Sequence, residues 1–579
     1  MKTLLDIQIS RAVDQLLADP PGRCFEAWVF EDEPTRRSIE AALRAAGVSA
    51  RLRSAYKPLL HFFLEEVQLT GLTAVTIRTP SHRLASERRF ELEVYPLAGL
   101  LASVELRFEA GDDPLHYGVL LEYETRRNEH RVFAPNVERR DPLGDAVLAP
   151  CGWVQLDPSV PGAPLQTEYE TAFAAVFEAL VAEPWPEVAP FFDTLSVAVE
   201  TGGIERRLSY GDECISTREA LHEDLYFSIR EFFQLRALLP PGDRTLRLGQ
   251  VVPDIRCSDG ATRLRVTVGP PATEEPCADG EQVLPQATRP LDPDQIATEL
   301  DALGGERFDT VSYRGRRVMA AEFSGRNIGL VVTAGQHANE TSGLVGALRA
   351  AAELKKRGLG FALVPLENPD GYALHRELRV ANPRHINHAA RFSAAGDDLS
   401  SRTDPPFGEL KARREAYART NAVLHVNMHG YPAHEFTRPN TGYVPRDSLE
   451  WAIPRGFFLI MHFRPGLRDP ATKFLHELSA RLAELPGLRA FNQAQIRVFE
   501  AHLGVLPAPV LNGIVCTLKE NPDLIPPFAL TTEFPDETIY DDAFQFAHTV
   551  QMTTVLEAAR LLEAGTLATC TRPSTYPEA

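Results

Sequence analysis

The chain has 579 residues, too many for one hydrophobic core, and this length suggests two to four domains. A composition of 44% hydrophobic and 24% charged residues is typical of a soluble globular protein. The formal net charge of −19 argues against a nucleic-acid partner, since phosphate binding requires clustered Lys and Arg.

The N-terminal sequence and the cysteines indicate the compartment. Charges interrupt the apolar residues at the start of the chain, so no secretory signal is predicted, and no later segment is apolar for long enough to span a membrane. The seven cysteines are odd in number and form no Cys-x-x-Cys pair, which is typical of a reducing compartment. We therefore expect a cytoplasmic protein without a membrane partner, whose oligomeric state the sequence leaves open.

Two Pro-rich stretches predict three segments. These stretches are residues 142–164 and 269–293. We expect an N-terminal α+β accessory domain at residues 1–150, a mainly helical accessory region with a Pro-rich linker at 151–290, and an α/β domain at 291–579.

Local patterns in the first half predict two strands and two helices. Alternating residues at 90–94 and 104–108 favour antiparallel strands exposed on one side, and helices are predicted at 169–182 and 217–238. The second helix contains His222-Glu223-Asp224, whose adjacent side chains project in different directions, so we interpret them as helix surface rather than a metal site. Capping of a site, restriction of access and oligomerisation remain open as roles for this half.

In the second half, a histidine and a glutamate lie three residues apart between a strand and a helix. The apolar run at 328–332 predicts a buried strand, and 341–356 predicts an amphipathic helix. Open α/β sheets bind ligands beyond the carboxyl ends of their strands. His337 and Glu340 are therefore predicted to point into one cleft.

Three further segments follow in order. Asn368-Pro369-Asp370-Gly371-Tyr372 is a predicted turn after a second apolar strand at 361–366. Residues 423–430 predict a third strand, which ends in His429-Gly430, and residues 530–535 predict a short strand that carries Glu533.

In this order the segments resemble the zinc carboxypeptidase family, the carboxypeptidase A-like metallopeptidases and their acylase relatives, over residues 291–564. The resemblance implies a mixed α/β sheet flanked by helices, one Zn²⁺ per chain bound by His337, Glu340 and His429, and Glu533 as the catalytic glutamate. The residue types suit these roles, because catalytic zinc takes three protein ligands and leaves a position for water. A carboxylate in an apolar strand is a suitable general base with a raised pKa.

His425 is the alternative to His429 as the third ligand. Residues four apart point to the same side of a strand, so side-chain direction does not separate the two. We choose His429 because it ends its strand beside Gly430, where the backbone can approach a metal closely, and because the family's third ligand also ends its strand. His425 is then expected to be a core residue or a support for the ligands.

The resemblance also implies an arginine that polarises the scissile carbonyl. Arg379 is our candidate, with Arg376 and Arg384 left open. Carboxypeptidases then carry Asp-x-Asn-Arg, whose Asn-Arg pair holds the substrate carboxylate, and the best match here is His385-Ile386-Asn387-His388. Imidazole lacks the permanent charge and the forked donors of guanidinium, so Arg391 is the candidate for the missing charge.

A polar run at 431–439 leaves the third strand directly and is predicted to line the cleft. Its candidates for substrate contact are Tyr431, His434, Glu435 and Arg438, and a solvated surface loop is the alternative.

The resulting prediction is a zinc-dependent hydrolase of a peptide or small amide, with metallocarboxypeptidase activity as the leading expectation. The altered Asn387-His388 pair favours, as an alternative, deacylation of N-acyl amino acids or cleavage of isopeptides. A non-catalytic binding module that retains the fold represents a different class.

Overall fold

The structure is a computed structural model that describes residues 1–86, 88–157, 159–271, 280–446 and 451–567. Up to residue 271, small sheets alternate with helices. The strands are β1 (Lys2–Ile9), β2 (Cys24–Val29), β3 (Ser49–Ser54), β4 (Leu72–Thr79), β5 (Glu105–Ala110), β6 (His116–Tyr123), β7 (Arg127–Phe133), β8 (Asn136–Arg140), β9 (Ala146–Pro150), β10 (Gly152–Gln155), β11 (Ala163–Leu165), β12 (Thr194–Thr201), β13 (Glu205–Arg207), β14 (Cys214–Ser216), β15 (Gln250–Cys257) and β16 (Thr262–Gly269). The helices are α1 (Ala12–Ala18), α2 (Glu33–Ala45), α3 (Pro58–Glu65), α4 (Arg89–Glu93), α5 (Leu97–Leu100), α6 (Glu168–Ala182) and α7 (Thr217–Arg236).

Strands from both sides of residue 150 pair with each other. β10 pairs with β2, and β16 and β12 lie between β1 and β15 in one sheet. One hydrophobic core contains both Ile9 and Val266. The Pro-rich residues 142–164 contribute β9, β10 and β11 to the sheets, so the segments expected on either side of residue 150 share sheets and a core.

The prediction of a strand at residues 90–94 is wrong. Helix α4 lies there, and Arg89 forms a buried ion pair with Glu93, four residues later. A helix brings residues four apart together, so this pair favours the helix over the strand suggested by alternation. The second predicted strand forms as β5 but pairs with β4 in parallel. The two predicted helices form as α6 and α7.

The C-terminal part begins with α8. Its strands are β17 (Glu306–Arg307), β18 (Thr310–Val311), β19 (Arg317–Val318), β20 (Ala321–Phe323), β21 (Arg326–Ala334), β22 (Leu359–Val364), β23 (Leu424–Tyr431), β24 (Phe458–Phe463), β25 (Val510–Leu511), β26 (Ile514–Glu520) and β27 (Phe528–Pro535). The helices are α8 (Pro293–Leu303), α9 (Ser342–Lys356), α10 (Pro369–Ala381), α11 (Leu410–Thr420), α12 (Arg468–Leu482), α13 (Leu488–Leu503) and α14 (Asp541–Glu563). Single 3₁₀ turns lie at Leu284–Gln286, His388–Ala390, Leu399–Ser401 and Pro439–Thr441.

A nine-stranded mixed sheet organises this part, in the order β17-β20-β22-β21-β23-β27-β24-β26-β25. The central strands β22, β21, β23 and β27 run parallel, and β24 is antiparallel to β27. Leu330 and Val332 of β21 face the core formed with α9 and α14, whereas Val331 faces α11. The predicted mixed α/β sheet flanked by helices is confirmed.

Small residues let α9 approach the sheet. A Cβ added at Gly343 would lie 3.1 Å from the Met428 Cβ, and one at Gly346 would lie 2.9 Å from the Met428 Cε. The turn predicted at Asn368 is instead the start of α10, because the Asn368 side chain accepts a hydrogen bond from the Gly371 N–H and Pro369 occupies the first helical turn.

Of the predicted linker at 269–293, residues 272–279 lie outside the described ranges. Five cysteines lie in the described ranges and all are free thiols: Cys24, Cys151, Cys214, Cys257 and Cys516. Cys277 and Cys570 lie outside these ranges. Within the described ranges, every helix is too short or too polar to cross a bilayer.

Candidate metal centre and active-site cavity

Two neighbouring parallel strands bring the three predicted metal ligands together. His337 and Glu340 follow β21, and His429 lies near the carboxyl end of β23, which pairs with β21. The Glu340 carboxylate lies 2.8 Å from His337 Nδ1 and 2.9 Å from His429 Nδ1. One ligand atom from each residue lies within 4.8 Å of the others, and all three side chains are buried.

The surroundings of Glu340 keep its carboxylate ionised. Burial acts to raise its pKa, but His337, Arg391 and His429 outweigh burial and hold the pKa well below its usual value. Arg391 Nη1 donates to Glu340 Oε1 at 2.6 Å, and the Gly430 N–H donates to Oε2 at 3.0 Å. The oxygen atoms are thus oriented toward the two imidazoles.

Asp398 orients His337 from the other side. Its carboxylate lies 3.3 Å from His337 Nε2, which leaves Nδ1 directed at the cluster. Carboxylates commonly position metal-binding imidazoles in this way. The sequence prediction missed Asp398, because a lone aspartate carries no signal that it will contact His337, 61 residues earlier.

Glu533 lies directly beside the cluster. In the pairing of β23 with β27 it is opposite His429, and its side chain is buried, with Oε2 lacking a hydrogen-bond partner among the described residues. Burial, reinforced by the negative charge of Glu340, raises the pKa of Glu533 well above its usual value. This environment suits a group that accepts and returns a proton.

A cavity of about 520 Å³ is lined by His337, His429 and Glu533 among other residues. Alternate residues of three adjacent strands line its floor, because successive side chains of a strand point to opposite faces. These floor residues are His425, Asn427 and His429 of β23, Ala529, Thr531 and Glu533 of β27, and Ile460 and His462 of β24.

His425 supports the floor through two hydrogen-bond contacts. Its Nε2 lies 2.9 Å from Thr333 Oγ1 and its Nδ1 lies 3.0 Å from Tyr417 Oη. Burial holds its pKa well below the usual value, so the ring is neutral. Both nitrogens are engaged away from the cluster, in agreement with the choice of His429 as the cluster residue.

The arginine near the cluster is not the one predicted. Arg379 lies on α10 and interacts with Tyr540, Arg376 pairs with Asp292, and Arg384 lies over the Tyr540 ring. None of these three arginines lines the cavity, whereas Arg391 does. Arg376 and Arg379 lie on α10 and Arg384 follows that helix, whereas Arg391 comes directly after the 3₁₀ turn at His388–Ala390.

The predicted substrate-contact residues separate into two groups. His388, Arg391, Tyr431 and Arg438 line the cavity, whereas Asn387, His434 and Glu435 do not. The run at 431–439 is buried, which removes the surface-loop alternative. Glu435 pairs with Lys57 of the N-terminal part.

Helix α7 explains this burial and corrects the interpretation of His222, Glu223 and Asp224 as helix surface. All three side chains are buried. Glu223 Oε2 lies 2.5 Å from the Nδ1 of His388, a cavity residue 165 positions later. The burial of these side chains could not be predicted from the sequence, because the residues that cover the polar face of α7 lie far away in the chain.

Further carboxylates of α7 bind the run at 431–439. Glu219 accepts from His434 Nε2 at 2.8 Å, and Glu231 accepts from Arg438 Nη1 at 2.7 Å. Burial opposes ionisation of His434, but Glu219 outweighs it and raises the His434 pKa to about 9. The N-terminal part is therefore built into the wall of the cavity.

Comparisons with known proteins add the following. No protein-family model matches the chain, and no curated protein matches it. Similar solved structures include a putative metallopeptidase from Shewanella denitrificans (14% identity, 46% of this chain and 89% of that chain, TM-score 0.28). A metallo-carboxypeptidase from Pseudomonas aeruginosa in complex with (2-guanidinoethylmercapto)succinic acid has 16% identity, 54% and 73% coverage, and a TM-score of 0.29.

A third similar structure is bovine thrombin-activatable fibrinolysis inhibitor in complex with tick carboxypeptidase inhibitor, with 11% identity, 49% and 100% coverage, and a TM-score of 0.30. Such low identities and TM-scores carry no functional argument. The function therefore has to be inferred from the residues of the site.

Proposed function

We propose that the protein is a zinc-dependent hydrolase of a peptide or amide bond, with carboxypeptidase-type activity. The observation that carries this proposal is the placement of His337, Glu340 and His429 in one cluster with Glu533 opposite His429 in the same cavity. Two imidazoles and a carboxylate form a donor set typical of catalytic zinc, so the residues fit this metal. Zinc held there would supply Lewis acidity that polarises a carbonyl and acidifies water.

The roles of the protein side chains follow from their positions. Glu533 takes a proton from the attacking water and returns it to the leaving nitrogen, since its raised pKa lets it hold that proton. Arg391, in place of Arg379, donates to the carbonyl oxygen as negative charge develops there. Its contact with Glu340 keeps the guanidinium at the edge of the cluster.

The second candidate is deacylation of small N-acyl amino acids or isopeptides. Asn387 does not line the cavity and His388 is engaged by Glu223, so this pair is poorly suited to hold a carboxylate beside the scissile amide. Within this candidate, isopeptides whose carboxylate lies elsewhere are therefore favoured over N-acyl amino acids. A binding module without catalysis is the remaining alternative.

The first test is metal content, for which we expect about one zinc per chain in protein purified without chelators. The second is mass-spectrometric analysis of products from free-ended peptides, C-terminally amidated peptides and N-acyl amino acids, with Glu533→Gln as the inactive control. Loss of single residues from free-ended peptides only would support a carboxypeptidase. Turnover of N-acyl amino acids alone would support the deacylase, and no turnover would leave the binding module.

A further inference from the structure

One wall of the cavity comes from the N-terminal part of the chain. Residues of α7 and the loop after it line the cavity on the side away from the floor. They include Phe227, Arg230 and Gln234 on the helix and Arg244 on the loop. Nothing in the proposed mechanism uses the two arginines.

Arg230 is a buried cation with no acidic partner in the part of the chain that the structure describes. Its side chain is only 4% exposed, and Nη1 donates to the Gly396 carbonyl at 2.5 Å. Nη2 has no hydrogen-bond partner among the described residues, and none of the acidic side chains described forms an ion pair with it. The guanidinium rests on the ring of Phe392, 4.4 Å from its centroid. A buried charge left unpaired is costly, so an anion bound beside Arg230 would stabilise it.

Arg244 adds a second positive charge on the same wall. Its side chain is 55% exposed, and Nη1 lies 3.4 Å from Asp398, the residue that orients His337. The Arg244 carbonyl accepts a hydrogen bond from the Asp398 N–H at 2.8 Å, and Arg230 donates to the carbonyl of Gly396, two residues before Asp398. Both arginines therefore contact the same short segment, residues 396–398, which also carries the carboxylate that orients His337.

The other arginines of the cavity are neutralised by carboxylates. Arg413 pairs with Glu367, Arg438 pairs with Glu231, and Arg446 pairs with Asp141 and Asp145. Arg391 pairs with Glu340, and Arg244 has the 3.4 Å contact with Asp398, so Arg230 is the cavity arginine without a carboxylate partner among the described residues. An anionic group that enters the cavity could form an ion pair with Arg230.

We propose that Arg230 and Arg244 form a subsite for a carboxylate of the substrate, supplied by the N-terminal part of the chain. This inference rests on the proposed hydrolase function and names its substrate class: a small molecule or chain end that carries a free carboxylate near the scissile amide. Guanidinium binds carboxylate through two parallel hydrogen bonds. A cavity of about 520 Å³ accommodates a small ligand or an end group.

The test compares two substrates that differ only in the carboxylate. An N-acyl dipeptide and its C-terminal carboxamide are assayed with wild type, Arg230→Gln, Arg230→Lys and Arg244→Gln. We expect Arg230→Gln to lower kcat/KM for the free acid by about 10- to 100-fold while changing it little for the carboxamide. Arg230→Lys should recover part of the loss, since it restores the charge without the fork.

Arg236→Gln is the matched control, because Arg236 lies on the same helix but outside the cavity and donates to the Trp185 carbonyl. Equal losses on both substrates, or no loss on either, would overturn the subsite. Circular dichroism would show whether Arg230→Gln fails to fold. In that case Arg244→Gln, at an exposed position, is used to compare the two substrates.

Calorimetry separates this inference from the hydrolase proposal. Glu533→Gln protein is titrated with N-acetylalanine, N-acetylalaninamide and inorganic phosphate, with and without the Arg230→Gln change. Binding of the free acid that requires Arg230 supports the subsite even if wild type hydrolyses nothing. If wild type hydrolyses the acid and the carboxamide at equal rates, the hydrolase proposal is supported and the carboxylate subsite is contradicted. Stronger binding of phosphate than of the free acid would contradict carboxylate as the ligand of the subsite.

Discussion

Replacing His434 by Leu should weaken the connection between the two halves of the protein. His434 is fully buried and donates to both carboxylate oxygens of Glu219, at 2.9 and 2.8 Å, across 215 residues of sequence. The variant leaves the buried Glu219 carboxylate with the Ile386 N–H, at 2.7 Å, as a remaining hydrogen-bond donor. Breaking a buried pair from one side typically costs about 3–5 kcal/mol.

The raised pKa gives an independent magnitude. A shift of the His434 pKa from 6.5 to about 9 corresponds to about 3 kcal/mol of stabilisation of the protonated ring. Because the folded state binds this proton more tightly than the unfolded chain, the stabilisation is fully present below pH 6.5 and is lost as the pH rises through about 9. Glu223 acts in the same direction, since burial raises its pKa to about 8.

The assay is urea unfolding at pH 6, 7, 8 and 9 of wild type, His434→Leu and His476→Leu, the last at an exposed position on α12. Wild type should lose stability over this range. His434→Leu should be less stable by about 3 kcal/mol at pH 6 and should show a flatter pH profile, whereas His476→Leu should match wild type. A difference below about 1 kcal/mol, or an unchanged profile in His434→Leu, would refute the buried pair.

Three further predictions concern the site. Glu533→Gln should lower kcat by about 10²–10⁴-fold while zinc content, measured by plasma mass spectrometry, stays at the wild-type level; full activity would remove it as the general base. Arg391→Gln should lower kcat for the preferred substrate by a larger factor than it raises KM, whereas the control Arg379→Gln should leave both unchanged in steady-state kinetics. A larger loss of kcat in Arg379→Gln than in Arg391→Gln would support Arg379 as the residue that polarises the carbonyl. Gly430→Ala should destabilise the fold by about 1–3 kcal/mol in thermal unfolding, because its Cβ would lie 1.9 Å from Asp536 Oδ1, and a stable variant would show that the strand end moves easily.

Two kinds of sequence information located the centre of the site. The apolar runs at β21, β23 and β27 identified buried parallel strands, whose carboxyl ends meet at one edge of a sheet. The spacing of His337 and Glu340 on one turn then placed two side chains in that cleft. These inferences depend only on local periodicity and on a general property of parallel sheets, so they need no knowledge of distant contacts.

Local patterns were insufficient where two conformations satisfy the same pattern. Residues 90–94 alternate as a strand would, yet the pair of Arg89 and Glu93 is made in a helix. The segment starting at Asn368 has the composition of a turn but begins α10, since Asn and Pro favour both turns and helix starts.

The sequence by itself thus indicated the strands β21, β22, β23 and β27, the turn that carries His337 and Glu340, and the types of residue that suit a metal. Only the tertiary structure decided that Arg391 and Asp398 contact the cluster and that α7 supplies the opposite wall. Those contacts join segments far apart in the chain, such as Glu223 with His388 across 165 residues. Which side chains meet across such distances depends on the packing of whole elements, and the periodicity of one segment carries no information about its partner.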